Sequence, residues 1–469
     1  MHIIITLLLE YFSLIFTIVL ILVVLSNKKE AQATLAWVLL IIFLPYFGAI
    51  IYIIFGNPGL KNLMSKVNQK KYVRYNITSE QTEEFKSSEI GNLIMAVNEL
   101  NPLLCSNLEF LHNASIKYVK LAEDILSARN YILIEYYVFR QDETGRFFIN
   151  LLVKKLNEGV KVYLLYDGVG AIGLSLRRHF LHEFKKSGGF AYPFLSPLKL
   201  KTFTRINFRN HRKIVIIDGK ICYLGGINIG NEYIGDLSKG GDWIDAHVRF
   251  TGEAVVSALE LFVEDWLFAT KEDISDVVLR PVDNMGGDTS VHLIPSGPNE
   301  PASKIYNTIF ALFVSAKKSI NILTPYLVPD EAVMELMKFC SKKGVRINII
   351  LPGKNNHPFV AAAGRSYYED LIENGVNIYE TYNTMLHAKI ITVDDAITLI
   401  GSANIDYRSF KLNFELSMVV YKSKFTREVL KFINIYEQES KLITIQDIRS
   451  KKLYLKLYEG MCRTLSPVL

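Results

Sequence analysis

One eight-residue pattern occurs twice in this chain. His211-Arg212-Lys213-Ile214-Val215-Ile216-Ile217-Asp218 and His387-Ala388-Lys389-Ile390-Ile391-Thr392-Val393-Asp394 share the form HxKxxxxD, offset by 176 residues (211 to 387). Gly225-Gly226-Ile227-Asn228 and Gly401-Ser402-Ala403-Asn404 follow at the same offset. The surroundings repeat as well. Ile116–Ala128 reads as helix, Tyr131–Val138 as strand, Phe147–Asn157 as helix and Val160–Tyr166 as strand. Ile305–Ala316, Ile320–Leu323, Glu331–Lys342 and Val345–Leu351 read alike, and Gly159 and Gly344 mark the same helix-to-strand joint. Alternating helices and strands predict α/β layers. A period far above the ~20–50 residues of solenoid repeats predicts a duplicated domain.

The spacing has chemical content. The run between each Lys and Asp is rich in β-branched residues and predicts a buried strand. Residues two apart on a strand share a face, so His211 projects with Lys213 and His387 with Lys389. Asn228 and Asn404, at loop ends, can join them as donors. If the halves pack about a pseudo-twofold axis, two His, two Lys and two Asn converge on one pocket. Such a pocket suits a phosphodiester. Cations and amides hold the non-bridging oxygens, one imidazole attacks phosphorus, and the other delivers a proton to the leaving oxygen.

Two lysines supply the charge that Mg²⁺ would otherwise bring, and no carboxylate cluster suited to that ion stands out, so neither metal nor cofactor is expected. A single motif would read as an ordinary strand-edge histidine; two copies with matching loops read as a site. Asp218 and Asp394 complete the motif at the far strand ends and read as structural, pinning a turn or an ion pair. His2, His112, His179, His182, His247, His292 and His357 show no ligand spacing and read as solvated or packed.

Composition narrows the remainder. The 469 residues carry 53 Lys+Arg against 47 Asp+Glu, a net of +6, with 50% hydrophobic and 21% charged. That excludes a disordered or collagenous chain, and the evenly spread charge gives no reason to expect nucleic acid as a partner. Cys105, Cys222, Cys340 and Cys462 lie far apart with no CxxC, which points to reduced thiols.

The hydrophobic excess is concentrated in Ile3–Leu25 and Leu35–Phe55, two runs long enough to cross ~30 Å of hydrocarbon as helices. Ala31-Gln32-Ala33 resembles a signal-peptidase site. However, no Lys or Arg precedes the first run and a second run follows at once, which favours a retained hairpin. Lys61, Lys66, Lys70, Lys71 and Arg74 outnumber Lys28 and Lys29 between the runs, so the later chain is expected in the cytoplasm. The cluster can also grip an anionic membrane surface. The chain thus divides into two transmembrane helices (1–57), a basic juxtamembrane linker (58–110), a first half (111–280), a bridge (281–301) and a second half (302–469).

Further motifs carry a family resemblance. Ala36-Trp37, Pro45, Gly48 and Tyr52 in the first segment, Arg209-Asn210-His211-Arg212-Lys213, and Gly225-Gly226-Ile227-Asn228-Ile229-Gly230 belong to it. So do Pro295-Ser296-Gly297-Pro298, Thr324-Pro325-Tyr326-Leu327-Val328-Pro329-Asp330, Arg408-Ser409-Phe410-Lys411-Leu412-Asn413-Phe414-Glu415 and the tail Leu465–Leu469. The whole chain resembles the bacterial cardiolipin synthases of the phospholipase D superfamily.

The resemblance implies two pseudo-symmetric phospholipase D-like α/β halves forming one catalytic unit behind a transmembrane hairpin in the bacterial cell membrane. It also implies transfer between two phosphatidylglycerols to give cardiolipin and glycerol, with His211 as nucleophile and His387 as acid and base. By family pattern a downstream carboxylate fixes each histidine: Asp245, with Asp242 as its rival, for His211, and Glu415 for His387. Hydrolysis, or another donor or acceptor lipid, is the alternative that the same motif allows. Asn231 and Asn355-Asn356-His357 depart from the family pattern and bear on substrate details. Phe190–Phe208, aromatic and basic, reads equally as a membrane-dipping lip or a packed insertion.

Overall fold

The structure, a computed structural model, describes residues 2–26, 31–56, 85, 88–278, 286–300 and 303–464, apart from 200, 201, 203, 204, 236–242, 383, 422 and 423. Asp242, Lys28, Lys29, the basic cluster from Lys61 to Arg74 and the tail Leu465–Leu469 lie outside these residues.

Each half is built from the expected alternation. The first half contains strands β1 (Leu103–Leu111), β2 (Tyr131–Tyr136), β3 (Lys161–Asp167), β4 (Phe190–Phe194), β5 (Arg209–Asn210), β6 (Ile214–Ile217), β7 (Ile221–Gly225), β8 (Trp243–Ile244) and β9 (His247–Thr251). The second contains β10 (Thr289–Ser296), β11 (Ser319–Leu323), β12 (Leu327–Val328), β13 (Arg346–Pro352), β14 (Asn377–Thr381), β15 (Met385–Leu386), β16 (Ile390–Val393), β17 (Ile397–Gly401), β18 (Ile405–Asp406), β19 (Asn413–Tyr421) and β20 (Ser440–Leu442).

A continuous sheet runs β20-β14-β13-β11-β16-β17-β19-β10-β1-β9-β7-β6-β2-β3-β4. Leaving out the terminal β20, it is a palindrome: β14 answers β4, β13 answers β3, and β10 answers β1 at the centre. The halves therefore join edge to edge, with Leu103 opposite Val291 and Cys105 opposite Thr289 in antiparallel register. Strands β1 and β10 fall in stretches read from sequence as linker and bridge; neither shows the clean alternation that would mark it as a strand.

Local chemistry sets the element ends. Helices Ala114–Ser127 and Glu143–Asn157 start at Asn113 and Asp142, and Lys304–Ser315 and Glu331–Lys342 at Ser303 and Asp330; each of these caps accepts a backbone N–H from the first turn. Gly159 (φ 88°) and Gly344 (φ 96°) close the second helix of each half in the left-handed region, where glycine is favoured. The motif strands β6 and β16 are buried along their whole length because both sheet faces are covered. One core is confined to the first half, and another belongs to the second half together with Phe85 and Ile94 from the chain before β1. A third spans the seam, uniting Leu133, Leu165 and Trp266 with Ile350, Leu386 and Met418.

The N-terminal segment departs from the expected pair of continuous spans. His2–Ser26 is helical, but the second run breaks at Leu44 into Ala31–Phe43 and Pro45–Phe55. Pro45 lacks an N–H and its ring clashes with the preceding turn, so it begins a new helix. Among the described residues no helix is long and apolar enough to cross a membrane. Among the described residues of Phe190–Phe208, Phe190–Phe194 is the strand β4; Phe194, Leu195 and Phe208 are buried, while Phe190 and Leu198 are exposed.

Candidate active site

The two motifs meet at the seam through a reciprocal exchange. Strand β5, just before His211, pairs in parallel with the start of β19, placing Arg209 opposite Asn413 and Asn210 opposite Phe414. Strand β15, just before His387, pairs in parallel with β8, placing Met385 opposite Trp243 and Leu386 opposite Ile244. One step further along each register, His211 comes beside Glu415 and His387 beside Asp245. The backbone continues the pairing: His211 N donates to Phe414 O at 2.9 Å and His387 N to Ile244 O at 2.6 Å.

The expected carboxylate partners are therefore exchanged. His211 Nδ1 lies 3.0 and 3.1 Å from the two Glu415 oxygens and 3.1 Å from Ser402 O. His387 Nδ1 lies 2.6 Å from Asp245 Oδ2. Each histidine is served by the opposite half, because the long-range strand pairing, and not distance along the chain, decides which carboxylate it meets.

These contacts fix the tautomers. Nδ1 of His211 faces acceptors only, so it carries the proton and leaves the Nε2 lone pair free. Nδ1–H of His387 donates to Asp245, which leaves the Nε2 lone pair as an acceptor, with Lys389 Nζ 3.3 Å from it. Lys389 Nζ, 2.8 Å from that same Nδ1, then acts as a neighbouring charge; its hydrogen bond goes to His387 O at 2.5 Å. Lys213 Nζ donates to His211 O at 2.7 Å. Each ammonium retains further N–H groups for a substrate.

All of these side chains are buried, and their proton affinities follow. Burial pushes His211 below the ordinary imidazole range against the pull of Glu415. Burial, reinforced by the Lys389 charge, drives His387 down to about 3. Burial likewise lowers Lys213 to about 7 and Lys389 to about 8. Burial opposes ionisation of Asp245 and Glu415, yet Lys389 and His387 hold the first below the usual carboxylate range, and His211 and Lys213 hold the second there. The resting site thus pairs neutral imidazoles with ionised carboxylates.

Asn228 Oδ1 accepts from Val138 N at 3.1 Å and its amide donates to Tyr233 at 3.2 Å. Asn404 donates to Asp406 Oδ2 at 3.2 Å. Each carboxamide has a second N–H to offer. Asp218 and Asp394 sit away from this group, at the opposite strand ends. Asp218 accepts from the amides of Arg129, Asn130 and Tyr131, and Asp394 from those of Lys317, Lys318 and Ser319, at 2.6–2.9 Å. They pin turns, as their position in the motif suggested.

The structure adds residues that sequence reasoning missed. Ser402 Oγ donates to Glu415 Oε2 at 2.5 Å and Ser409 Oγ to Oε1 at 3.1 Å. Ser402 occupies the repeat position of Gly226, and that difference was the available signal. At Gly226 a Cβ would lie 2.0 Å from Asp245 Oδ1, so the glycine makes room for the carboxylate. Tyr137 meets the His211 ring and Trp243 the His387 ring, both with centroids 4.9 Å apart. Four free cysteines are buried, and among the described residues no group of three or more His, Cys, Asp or Glu is arranged to hold a metal ion.

Comparison with known proteins agrees with this geometry. Residues 121–239 and 309–436, which include both motifs, match the family described as "Cardiolipin synthase, PLD-like domain". The cardiolipin synthase of Staphylococcus aureus (strain Mu50 / ATCC 700699) is 37% identical over 467 residues, covering 95% of this chain and 93% of the relative. The chain belongs to the cardiolipin synthase family. Within the same family, the major cardiolipin synthase of Bacillus subtilis (strain 168) is 32% identical over 484 residues, covering 99% of each chain. The family's N-terminal segment also has a counterpart, since residues 15–57 match "Phospholipase_D-nuclease N-terminal". The crystal structure of phosphatidylserine synthase from Haemophilus influenzae Rd KW20 superposes with a TM-score of 0.61 at 17% identity, covering 81% of this chain and 100% of that one, a likeness of fold.

Proposed function

We propose that this chain is a membrane-bound phosphatidyltransferase that joins two phosphatidylglycerols into cardiolipin and releases glycerol. The observation that carries the reading is the reciprocal site, two imidazoles each held at Nδ1 by a buried carboxylate of the other half, in a chain of the cardiolipin synthase family.

His211 Nε2 attacks the phosphorus of the first lipid. Lys213 and Lys389, with Asn228 and Asn404, hold the non-bridging oxygens. Burial and, after it, the ammonium charges depress His387; the diester's negative charge offsets the latter, and His387 takes up a proton with the substrate. The P–O bond to the headgroup breaks and His387 protonates the departing glycerol oxygen, leaving a phosphatidyl-histidine. Neutral His387 then removes the proton from a glycerol hydroxyl of the second lipid. That oxygen attacks phosphorus, and the P–N bond to His211 breaks. Two in-line displacements retain configuration at phosphorus.

The N-terminal helices seat this site at the cell membrane, with the catalytic halves on the cytoplasmic side. The apolar side chains that the first helix exposes, among them Tyr11, Phe12, Leu14, Ile15 and Leu22, support that placement. The test is incubation with liposomes of pure phosphatidylglycerol. Cardiolipin and glycerol in equal amounts are expected, unaffected by chelator; phosphatidic acid as the main product would favour hydrolysis instead.

A further inference from the structure

Joining two phosphatidylglycerols brings two phosphodiesters into one site, a glycerol apart. The reacting one lies between the imidazoles. The acceptor's own phosphodiester stays anionic throughout and calls for a separate cation. Most guanidiniums near the seam are already neutralised. Arg209 pairs with Asp167 at 3.2 Å, Arg212 with Asp265, and Arg140 with Glu232 at 2.8 Å.

Arg408 differs. Among the described residues it makes no ion pair; its two terminal nitrogens donate to Asn207 Oδ1 at 2.9 Å and Asn207 O at 2.7 Å, both uncharged acceptors. It stands on the short helix Tyr407–Lys411, four residues after Asn404. Burial lowers its proton affinity, with Asp406 and Tyr137 acting in the opposite sense from nearby, and the Tyr137 ring is the one that meets His211. A half-buried guanidinium whose hydrogen bonds go only to uncharged acceptors keeps its charge available to an anionic ligand. The repeat position in the first half, 176 residues earlier, is Glu232, itself paired with Arg140. The cation is therefore present on one side of a pseudo-symmetric site, as a reaction with one acceptor lipid requires.

We propose that Arg408 binds the phosphodiester of the acceptor phosphatidylglycerol and so selects an anionic lipid over water or free glycerol as acceptor. This rests on the function proposed above.

Vesicles of pure phosphatidylglycerol with labelled free glycerol offer the phosphatidyl-enzyme two acceptors. The lipid gives cardiolipin; labelled glycerol, which has no phosphate, gives labelled phosphatidylglycerol. The reading is the ratio of their initial rates. In Arg408→Gln the ratio falls by on the order of tenfold or more, and Arg408→Lys recovers part of it. Asn207→Asp, which hands Arg408 a carboxylate and leaves the arginine in place, also lowers the ratio. An unchanged ratio in Arg408→Gln and Asn207→Asp, whatever the total rate, overturns the proposal. Labelled phosphatidylglycerol without cardiolipin from the unsubstituted chain contradicts the proposed function instead.

Discussion

His211 and Glu415, 204 residues apart in the chain, meet at 3.0 Å across the seam between the halves. Their counterparts, His387 and Asp245, meet at 2.6 Å in the opposite sense. Neither half holds a complete site. This exchange predicts that Glu415→Gln slows formation of the phosphatidyl adduct by ~10²–10⁴-fold, whereas Asp245→Asn mainly slows its breakdown. Rapid-quench measurement with a phosphatidyl-p-nitrophenol donor, whose leaving group needs no proton, separates the two steps. Loss of adduct formation in Asp245→Asn but not in Glu415→Gln would show the opposite pairing.

The lysines predict an alkaline limb. Lys213 and Lys389 are depressed to about 7 and about 8, and a lysine is charged below its pKa. Positive charge in the free site is therefore full on the acid side and lost as pH rises through this range. The profile of kcat/KM, which reports the free enzyme, is expected to fall there. Lys213→Arg, charged throughout, moves the limb upward whatever it does to the maximal rate. A profile flat to about pH 10, near the ordinary lysine value, would contradict this.

Gly226 is constrained by its neighbour, not by its backbone. Gly226→Ala sets a Cβ 2.0 Å from Asp245 Oδ1 and displaces the carboxylate that orients His387. A loss of kcat on the order of 10²-fold is expected, with the fold retained by circular dichroism. Wild-type kcat in this variant would mean that the carboxylate position is not critical.

Asp218 acts on stability. Asp218→Ala removes the acceptor that ties together the amides of residues 129–131, the first two of them exposed to water, and is expected to cost ~0.5–1.5 kcal/mol, read as a lowered denaturant midpoint. The rate per folded molecule should change far less than in His211→Ala. An unaltered midpoint with the rate lost would place Asp218 in the chemistry.

Much of this was legible in the sequence, for reasons that are local. Ile214–Ile217 and Ile390–Val393 announced buried strands by β-branching, and the His-x-Lys spacing put each pair on one face. Glu331–Lys342 was readable to its ends because Asp330 caps it and Gly344 follows it. Which carboxylate serves which histidine was not legible. Asp245 follows His211 and Glu415 follows His387 within each repeat, but the pairing of β5 with β19 and β15 with β8 is long-range and reverses that order. Pro45, visible in the sequence, was outweighed there by the unbroken apolar character around it. Arg408 stood in a recognised motif, yet its lack of a carboxylate partner shows only in three dimensions.

The most direct measurement is peptide mass spectrometry of the protein after reaction with the p-nitrophenyl donor. In His387→Ala the phosphatidyl group should accumulate on the peptide bearing His211, and in His211→Ala no adduct should form. An adduct on His387 in His211→Ala, with none on His211 in His387→Ala, would contradict the assignment of the two imidazoles around one phosphorus.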